Sequence, residues 1–435
     1  MAVMHFDPAS LVEAGRVNHA VYTDPEIFDL EMKRIFGGTW VYVGHDSQVP
    51  GAGDYYATSI ADQPVLLVRG KDQQLRLFYN RCTHKGAQLV NEGSGTVKAF
   101  RCAYHGWLFK DTGALHSIPA PGGYDCGTVC PGDGSHALEP VARFGSYRGF
   151  LFASLSPNVP ELEQWLGPLR SSLDNFVDRA PAGRVEVAGG VLRYEHDCNW
   201  KFFVENTLDA LHPMVVHQSA GRPAQIMSAR LDNQQKANFI LQALAPFTGS
   251  YNFYDAMGGR VMPHGHADLG GKASIHSDYD EDPDYLAAMH AAYGPERTTE
   301  ILSLSRNNSV AYPSLMFKAP IQLLRIIRPV AVDRTILETW HFRLVGAPES
   351  KLRRTIAYST LVNSPAGMVG PDDHEVYRAM QQGLTARKPE WVEISRYMAD
   401  PEAIAGEDGA VPVKGTSDAY FRGQFSAWAD LMGRP

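Results

Sequence analysis

The sequence predicts an α+β chain in two domains. A small antiparallel β domain is expected over about residues 38–156, and a larger domain, residues 1–37 with 157–435, has helices flanking a central antiparallel sheet. Three observations predict this. Short β-rich runs punctuated by glycine and aspartate fill the early chain, a strand–turn–strand pattern returns near residue 330, and amphipathic helical spacing appears near both ends. At 435 residues the chain can bury two cores, and 44% apolar with 20% charged residues is the balance of an ordinary soluble globular protein.

Asp24 is placed to cap a helix over 25–36, in which Pro25 fits the first turn and Phe28, Met32, Ile35 and Phe36 form one apolar face. Strands follow at 40–43, 55–58, 64–69 and 75–78, ended by Gly51, Gly53, Gly70 and Asp72. Ser156-Pro157-Asn158-Val159-Pro160 marks the exit of this domain. Between 262 and 285 the composition turns to Gly, His, Asp and Pro, which reads as a solvated loop, with a mobile lid over a pocket as the sharper reading. The His264-x-His266 pair within it invites only adventitious metal. Residues 322–328 and 335–343 flank a turn at Asp333-Arg334, a candidate hairpin of the central sheet. Phe421, Phe425, Trp428 and Met432 recur at helical spacing and read as core packing.

Two chelating loops carry the chemistry, Cys82-Thr83-His84-Lys85-Gly86 and Cys102-Ala103-Tyr104-His105-Gly106-Trp107. A structural zinc site pairs like ligands in each knuckle, whereas each loop here offers one thiolate and one imidazole. Mixed loops suit a dinuclear centre whose cysteines hold one iron and whose histidines hold the other. Gly86 and Gly106 supply the tight turns such loops need. By contrast, Cys126-x3-Cys130 has no second pair nearby and reads as loop, and Cys198 reads as a buried hydrophobe.

A second constellation follows, Asp209-x2-His212-x4-His217. On a helix turning about 100° per residue, Asp209 and His212 share a face. Pro213 should bend or stop the helix near His212 and let His217 swing back to the same ion. Two histidines need one carboxylate to complete the facial triad that suits non-haem Fe(II). Asp372 and Asp373, after the glycine- and proline-rich stretch 364–371, offer it.

Together the motifs resemble the Rieske non-haem iron family, and in particular the large (α) subunit of aromatic ring-hydroxylating dioxygenases, over nearly the whole chain. Quinol-oxidising Rieske proteins carry an extra cysteine in each loop; Ala87 and Tyr104 stand there in this sequence, so the likeness is to the oxygenase or ferredoxin branch. The resemblance implies a Rieske [2Fe-2S] cluster on Cys82, His84, Cys102 and His105. It implies a mononuclear Fe(II) on His212, His217 and Asp373, with Asp372 as the fallback, and O2 as co-substrate. Asp209 would bridge His105 of one subunit to His212 of another, with Asn206 near the iron and a helix-grip sheet around it. Electrons would come from NAD(P)H through a separate reductase, sometimes with a ferredoxin, because the chain has no Gly-x-Gly-x-x-Gly opening a βαβ unit. The expected assembly is α3β3 with a small β subunit, an α3 homotrimer being the alternative.

The product in such a family is typically a cis-dihydrodiol. Positions that are often aromatic in polycyclic-hydrocarbon members fall near Asn363 and Val369, which points to a polar pocket. Lys318, Arg325 or Arg328 would then neutralise a substrate carboxylate, so an aromatic acid of the benzoate, anthranilate, salicylate or cumate type is expected. Monooxygenation or demethylation by the same iron pair is the alternative within the family. A non-catalytic Rieske electron carrier is the alternative outside it, and would leave Asp209, His212, His217 and Asp373 without a purpose.

Net charge is −8, which gives no footprint for nucleic acid or an anionic membrane. The first residues lack a basic and then apolar signal sequence, and no apolar run is long enough to cross a bilayer. Five cysteines in so long a chain do not make a disulfide scaffold, and a thiolate-ligated cluster favours the reducing cytoplasm.

Overall fold

Asp24 caps the first long helix. Its Oδ1 accepts the N–H groups of Glu26 at 2.8 Å and Ile27 at 3.4 Å, and Pro25 takes a first-turn position where the missing N–H costs nothing. The helix is not α-helical throughout the predicted 25–36: it runs Pro25–Glu31 and continues as a π turn, Met32–Phe36. Met32 is only half-buried, and Glu31 faces the core in its stead, fully inaccessible to solvent. That carboxylate accepts Lys201 Nζ at 2.6 Å, Trp428 Nε1 at 2.7 Å and Trp200 Nε1 at 2.8 Å. Three donors offset the large cost of dehydrating a carboxylate.

This computed structural model describes residues 7–91, 93–125, 128–231, 237–275, 282–400 and 403–434. The chain forms two units, Phe36–Leu162 and Met1–Ile35 with Glu163–Pro435.

In the first unit all four expected strands occur. Asp54–Ile60, Gln63–Arg69 and Leu75–Tyr79 pair antiparallel in a sheet completed by Gly93–Thr96, and Val41–His45 pairs with Phe150–Ser154. Three two- or three-residue strands, Phe100–Arg101, Leu108–Phe109 and Leu115–Ser117, make a third small sheet. Inward-facing Leu66, Val68, Phe78, Trp107 and Phe109 form one apolar cluster, and Cys82 and Cys102 are buried in it. Of the other cysteines, Cys126 lies outside the described residues.

The larger unit is built on an eight-stranded antiparallel sheet. Its order is Val185–His196, Arg334–Leu344, Leu323–Ala331, Leu315–Lys318, Asn308–Ala311, Ala267–Leu269, Gly259–Val261 and Val411–Val413. The predicted hairpin is present, but its turn falls one residue early: Ala331 pairs with Arg334, leaving Val332 and Asp333 as the loop, with a bulge between Pro329 and Ala331. The segment after Met262 is not the solvated loop its composition predicts. Ala267–Leu269 is an interior strand, and buried His266 bonds on both ring nitrogens, Nε2 3.0 Å from the Trp165 carbonyl and Nδ1 accepting the Tyr312 N–H at 3.1 Å. Residues 276–281 of that segment lie outside the described residues. In Ala419–Met432, Phe425, Trp428 and Met432 are buried and Phe421 half-buried, as the spacing predicts. Cys198 is fully buried, and no described helix is long and apolar enough to cross a membrane.

Lys201→Met leaves Glu31 charged with its cationic partner gone. The expected loss is about 3–5 kcal/mol of unfolding free energy by urea titration, part of which returns in the Lys201→Met/Glu31→Gln double variant.

Candidate active site

Cys82 and Cys102 open two loops of one design. In each, the cysteine N–H donates to the carbonyl five residues on, Cys82 to Ala87 and Cys102 to Trp107, both at 2.8 Å. In each, the glycine four residues on donates back to the cysteine carbonyl at 3.0 Å. Gly86 and Gly106 take φ of +78° and +71°, and a Cβ there would stand 3.2 Å from Arg81 Nε or Pro119 Cγ. Closing the loop aims backbone N–H groups at sulfur: those of His84 and Lys85 at Cys82, and those of Tyr104 and His105 at Cys102. The thiols lie inside, whereas His84 is half-buried and His105 exposed, with ring centroids 4.7 Å apart. His84 stacks on Trp107 at 4.6 Å and its Nε2 lies 3.3 Å from the Tyr124 hydroxyl, which leaves Nδ1 buried without a partner. Two deep sulfurs and two outer imidazoles, one with an orphaned nitrogen, fit a [2Fe-2S] cluster with thiolates on the inner iron and histidines on the outer.

The second constellation departs from the expected helix. Lys201–Leu208 ends before Asp209, whose backbone is extended at φ −92° and ψ 115°. Asp209 Oδ1 accepts the N–H groups of Leu211 at 2.6 Å and His212 at 3.3 Å, a local turn that competes successfully with the next helical hydrogen bonds. Asp209 and His212 therefore meet across a turn, not along a helix face, with Asp209 Oδ2 3.5 Å from His212 Nδ1. Pro213 breaks nothing; it starts the short helix Pro213–Val216, and His217 follows at the junction with Gln218–Ser228.

Asp373 comes from the first turn of the helix Gly370–Gly383. Its Oδ1 lies 3.7 Å from His212 Nε2 and 3.3 Å from His217 Nε2, and the three ligand atoms fall within 4.8 Å of one another. Asn206 Nδ2 is 3.1 Å from both His212 Nε2 and Asp373 Oδ1. Asp372 points elsewhere: its Oδ2 is 3.4 Å from His217 Nδ1 and 3.4 Å from Ser219 Oγ. Sequence reasoning treated Asp372 only as a substitute for Asp373, yet two consecutive residues on a helix diverge by about 100°, a signal that one would face each side of His217. Burial opposes charge on His212, but Asp209 and Asp373 outweigh it and hold that imidazole above its ordinary pKa. Burial likewise raises the Asp373 carboxyl, and the histidines with Asn206 overcome it, leaving it below the usual range. Two Nε2 atoms and one carboxylate oxygen on one side of a point make a facial donor set suited to ferrous iron.

The triad opens onto a cavity of about 60 Å³. Asn363 and Val369 line it, as do Phe247, Ile275 and Val362. Of the three cations proposed for a substrate carboxylate, Lys318 and Arg325 line the cavity, while Arg328 pairs with Glu338 at 3.0 Å instead. Burial holds the Lys318 ammonium well below its ordinary pKa.

A mixed thiolate–imidazole pair of loops in one unit and a facial iron triad on a cavity in the other are the parts of an iron oxygenase fed by an iron–sulfur centre. Residues 39–130 match the Rieske [2Fe-2S] domain, and residues 186–409 the catalytic domain of the ring hydroxylating alpha subunit. The chain is 36% identical to toluate 1,2-dioxygenase subunit alpha of Pseudomonas putida, over 85% of this chain and 79% of that one. It is 30% identical to the 2-halobenzoate 1,2-dioxygenase large subunit of Burkholderia cepacia (96% and 90% covered) and 31% to the anthranilate 1,2-dioxygenase large subunit of Acinetobacter baylyi (96% and 89%). In fold it is similar to naphthalene 1,2-dioxygenase, with a TM-score of 0.79 at 21% identity over 98% of this chain and 94% of that one. The chain belongs to the aromatic ring-hydroxylating dioxygenase alpha-subunit family. It is a Rieske non-haem iron oxygenase, with a [2Fe-2S] cluster and a mononuclear iron as cofactors and O2 as co-substrate.

Gly86→Ala or Gly106→Ala places a side chain in the left-handed region at a cost of about 1–2 kcal/mol, against a close neighbour. Cluster content per chain, from visible absorption with iron and sulfide analysis, should fall in both. Gly122→Ala, whose added Cβ meets nothing within 4 Å, should leave it unchanged.

Proposed function

We propose that this chain is the terminal oxygenase of a multicomponent system that dihydroxylates an aromatic carboxylic acid. The ring, O2, two electrons and two protons give a cis-dihydrodiol, the electrons coming from NAD(P)H through a separate reductase, with or without a ferredoxin. The observation that carries the substrate class is that the relatives at 30–36% identity are named for toluate, 2-halobenzoate and anthranilate, all benzoates, whereas those named for biphenyl and benzene match at 26–29%; all of these are dioxygenases. A polar cavity that includes Asn363, Lys318 and Arg325 beside the triad supports the same class. Match to a catalytic domain over residues 186–409 disfavours a bare electron carrier.

In this reading residues 38–156 are the Rieske domain, and residues 1–37 with 157–435 the mononuclear iron domain. Cys82 and Cys102 bind the inner cluster iron and His84 and His105 the outer one, while His212, His217 and Asp373 bind the mononuclear iron. Bound ferrous iron supplies open coordination positions for dioxygen beside the substrate. The chain's own residues orient the rest. Asp372 accepts the His217 Nδ1–H and Asp209 stands beside His212 Nδ1, an arrangement that favours the tautomer presenting Nε2 to the metal. Asp209 keeps a partly exposed carboxylate that accepts a second imidazole N–H, from His105 of a neighbouring subunit, and so links the two centres. Asn206 steadies the Asp373 carboxylate. The words "large subunit" and "subunit alpha" in the relatives' names support a smaller companion chain, hence an α3β3 assembly, with α3 as the alternative.

Turnover with a competent reductase under 18O2 should place two labelled oxygens in the diol of a benzoate. Incorporation of one label would make the enzyme a monooxygenase, and oxidation of neutral rings alone would end the aromatic-acid reading. Asp373→Asn should abolish stoichiometric ferrous binding in anaerobic titration, whereas Asp372→Asn should weaken it by about 10–100-fold. Asp209→Asn should retain both metal centres by iron analysis and yet lose substrate-dependent reoxidation of the reduced cluster in stopped flow.

A further inference from the structure

We infer that Lys318 and Arg325 together form an anion subsite inside the catalytic cavity that binds the carboxylate of the aromatic substrate and thereby sets which ring edge meets the iron. The inference rests on the aromatic-acid reading above and adds the residues that enforce it. Leu315–Lys318 and Leu323–Ala331 are antiparallel neighbours, with Met316 opposite Arg325 and Lys318 opposite Leu323. Side chains alternate along a strand, so Met316, Lys318, Leu323 and Arg325 share one face, and Lys318 and Arg325 are diagonal neighbours on it. At a diagonal spacing of about 7–8 Å two long cationic side chains can converge on one small anion. Both line the cavity that holds His212, His217 and Asp373.

Their lack of a counter-charge is the telling point. Lys318 is 7% exposed, and among the described residues neither it nor Arg325 has a carboxylate at ion-pair distance. Arg325 Nη2 donates to Thr207 Oγ1 at 3.2 Å, and the charges Lys318 senses are Arg325, which repels it, and Asp373, already committed to the histidines. Three other cations of the same unit do have a carboxylate: Lys201 has Glu31, Arg306 has Asp268 and Arg328 has Glu338. Two like charges drawn together out of water are costly unless an anion completes the set. Among the other lining residues, Phe247, Ile275, Val362 and Val369 offer apolar surface suited to a ring. A site of this kind disfavours a neutral ring of the same shape, because such a ring leaves the Arg325 charge unpaired and gives Lys318 no anion to hold its proton.

Nitrobenzene, a neutral planar analogue of benzoate, supplies the comparison. In the fully metal-loaded oxygenase, Arg325→Gln and Lys318→Gln are each expected to lower the preference for benzoate over nitrobenzene by about ten- to a hundredfold, measured as the ratio of calorimetric dissociation constants. The loss should fall on KM for benzoate more than on kcat, and Lys318→Arg should restore part of it. Variants that keep the parent's preference, or that weaken both ligands equally while retaining iron content and circular dichroism, would overturn the subsite. Parent protein that binds and oxidises nitrobenzene but no aromatic acid would instead overturn the substrate class itself.

Discussion

An imidazole has two nitrogens, and the arrangement around the triad depends on both being assigned. His212 and His217 each turn Nε2 toward Asp373 and Nδ1 toward a second carboxylate, Asp209 or Asp372. A carboxylate beside Nδ1 favours the proton on that nitrogen, and the neutral imidazole then has a bare Nε2 that can donate a lone pair. The chain reaches this arrangement by local means. Asp209 faces His212 because it ends the helix with its own side chain, and Asp372 and Asp373 diverge because they are consecutive on one helical turn.

The parts of the fold and site written in nearest-neighbour chemistry were legible in the sequence. The two loops that open at Cys82 and Cys102 were legible as tight turns from their glycines, Asp24 as a cap from its position before Pro25, and the early strands from alternation. Less legible was anything whose cause lies far along the chain. Glu31, the last residue before the π turn, accepts donors 169, 170 and 397 residues away, which no local window contains. Ala267–Leu269 hides in a composition that reads as loop, because its β-character comes from the strands on either side. The end of the helix at Leu208 was missed for another reason: periodicity does not register a side-chain oxygen competing with a backbone carbonyl. Arg325 and Arg328, three apart on one strand, had to point to opposite faces, but only the paired neighbours reveal which face holds the cavity.

The cluster loops show how polarity can be graded over a short distance. The same closure buries a thiol at the start of each loop and carries an imidazole outward two or three residues later. Backbone N–H groups directed at the sulfurs stabilise the electron-rich half, and hydrogen bonds of that kind are among the means by which a protein tunes a cluster's potential. The imidazoles meanwhile occupy the solvent side of the loops, where charge is most cheaply screened.

Glu31 has a consequence for how the molecule comes into being. Its three donors lie on the segment leading into the catalytic residues and on the last helix of the chain, so this knot cannot be tied until Trp428 has left the ribosome. The Phe36–Leu162 unit is complete in sequence long before. Biogenesis is thereby staged: a nascent polypeptide has its sulfur-bearing half ready for maturation while the pocket for the solitary metal still awaits its final strut.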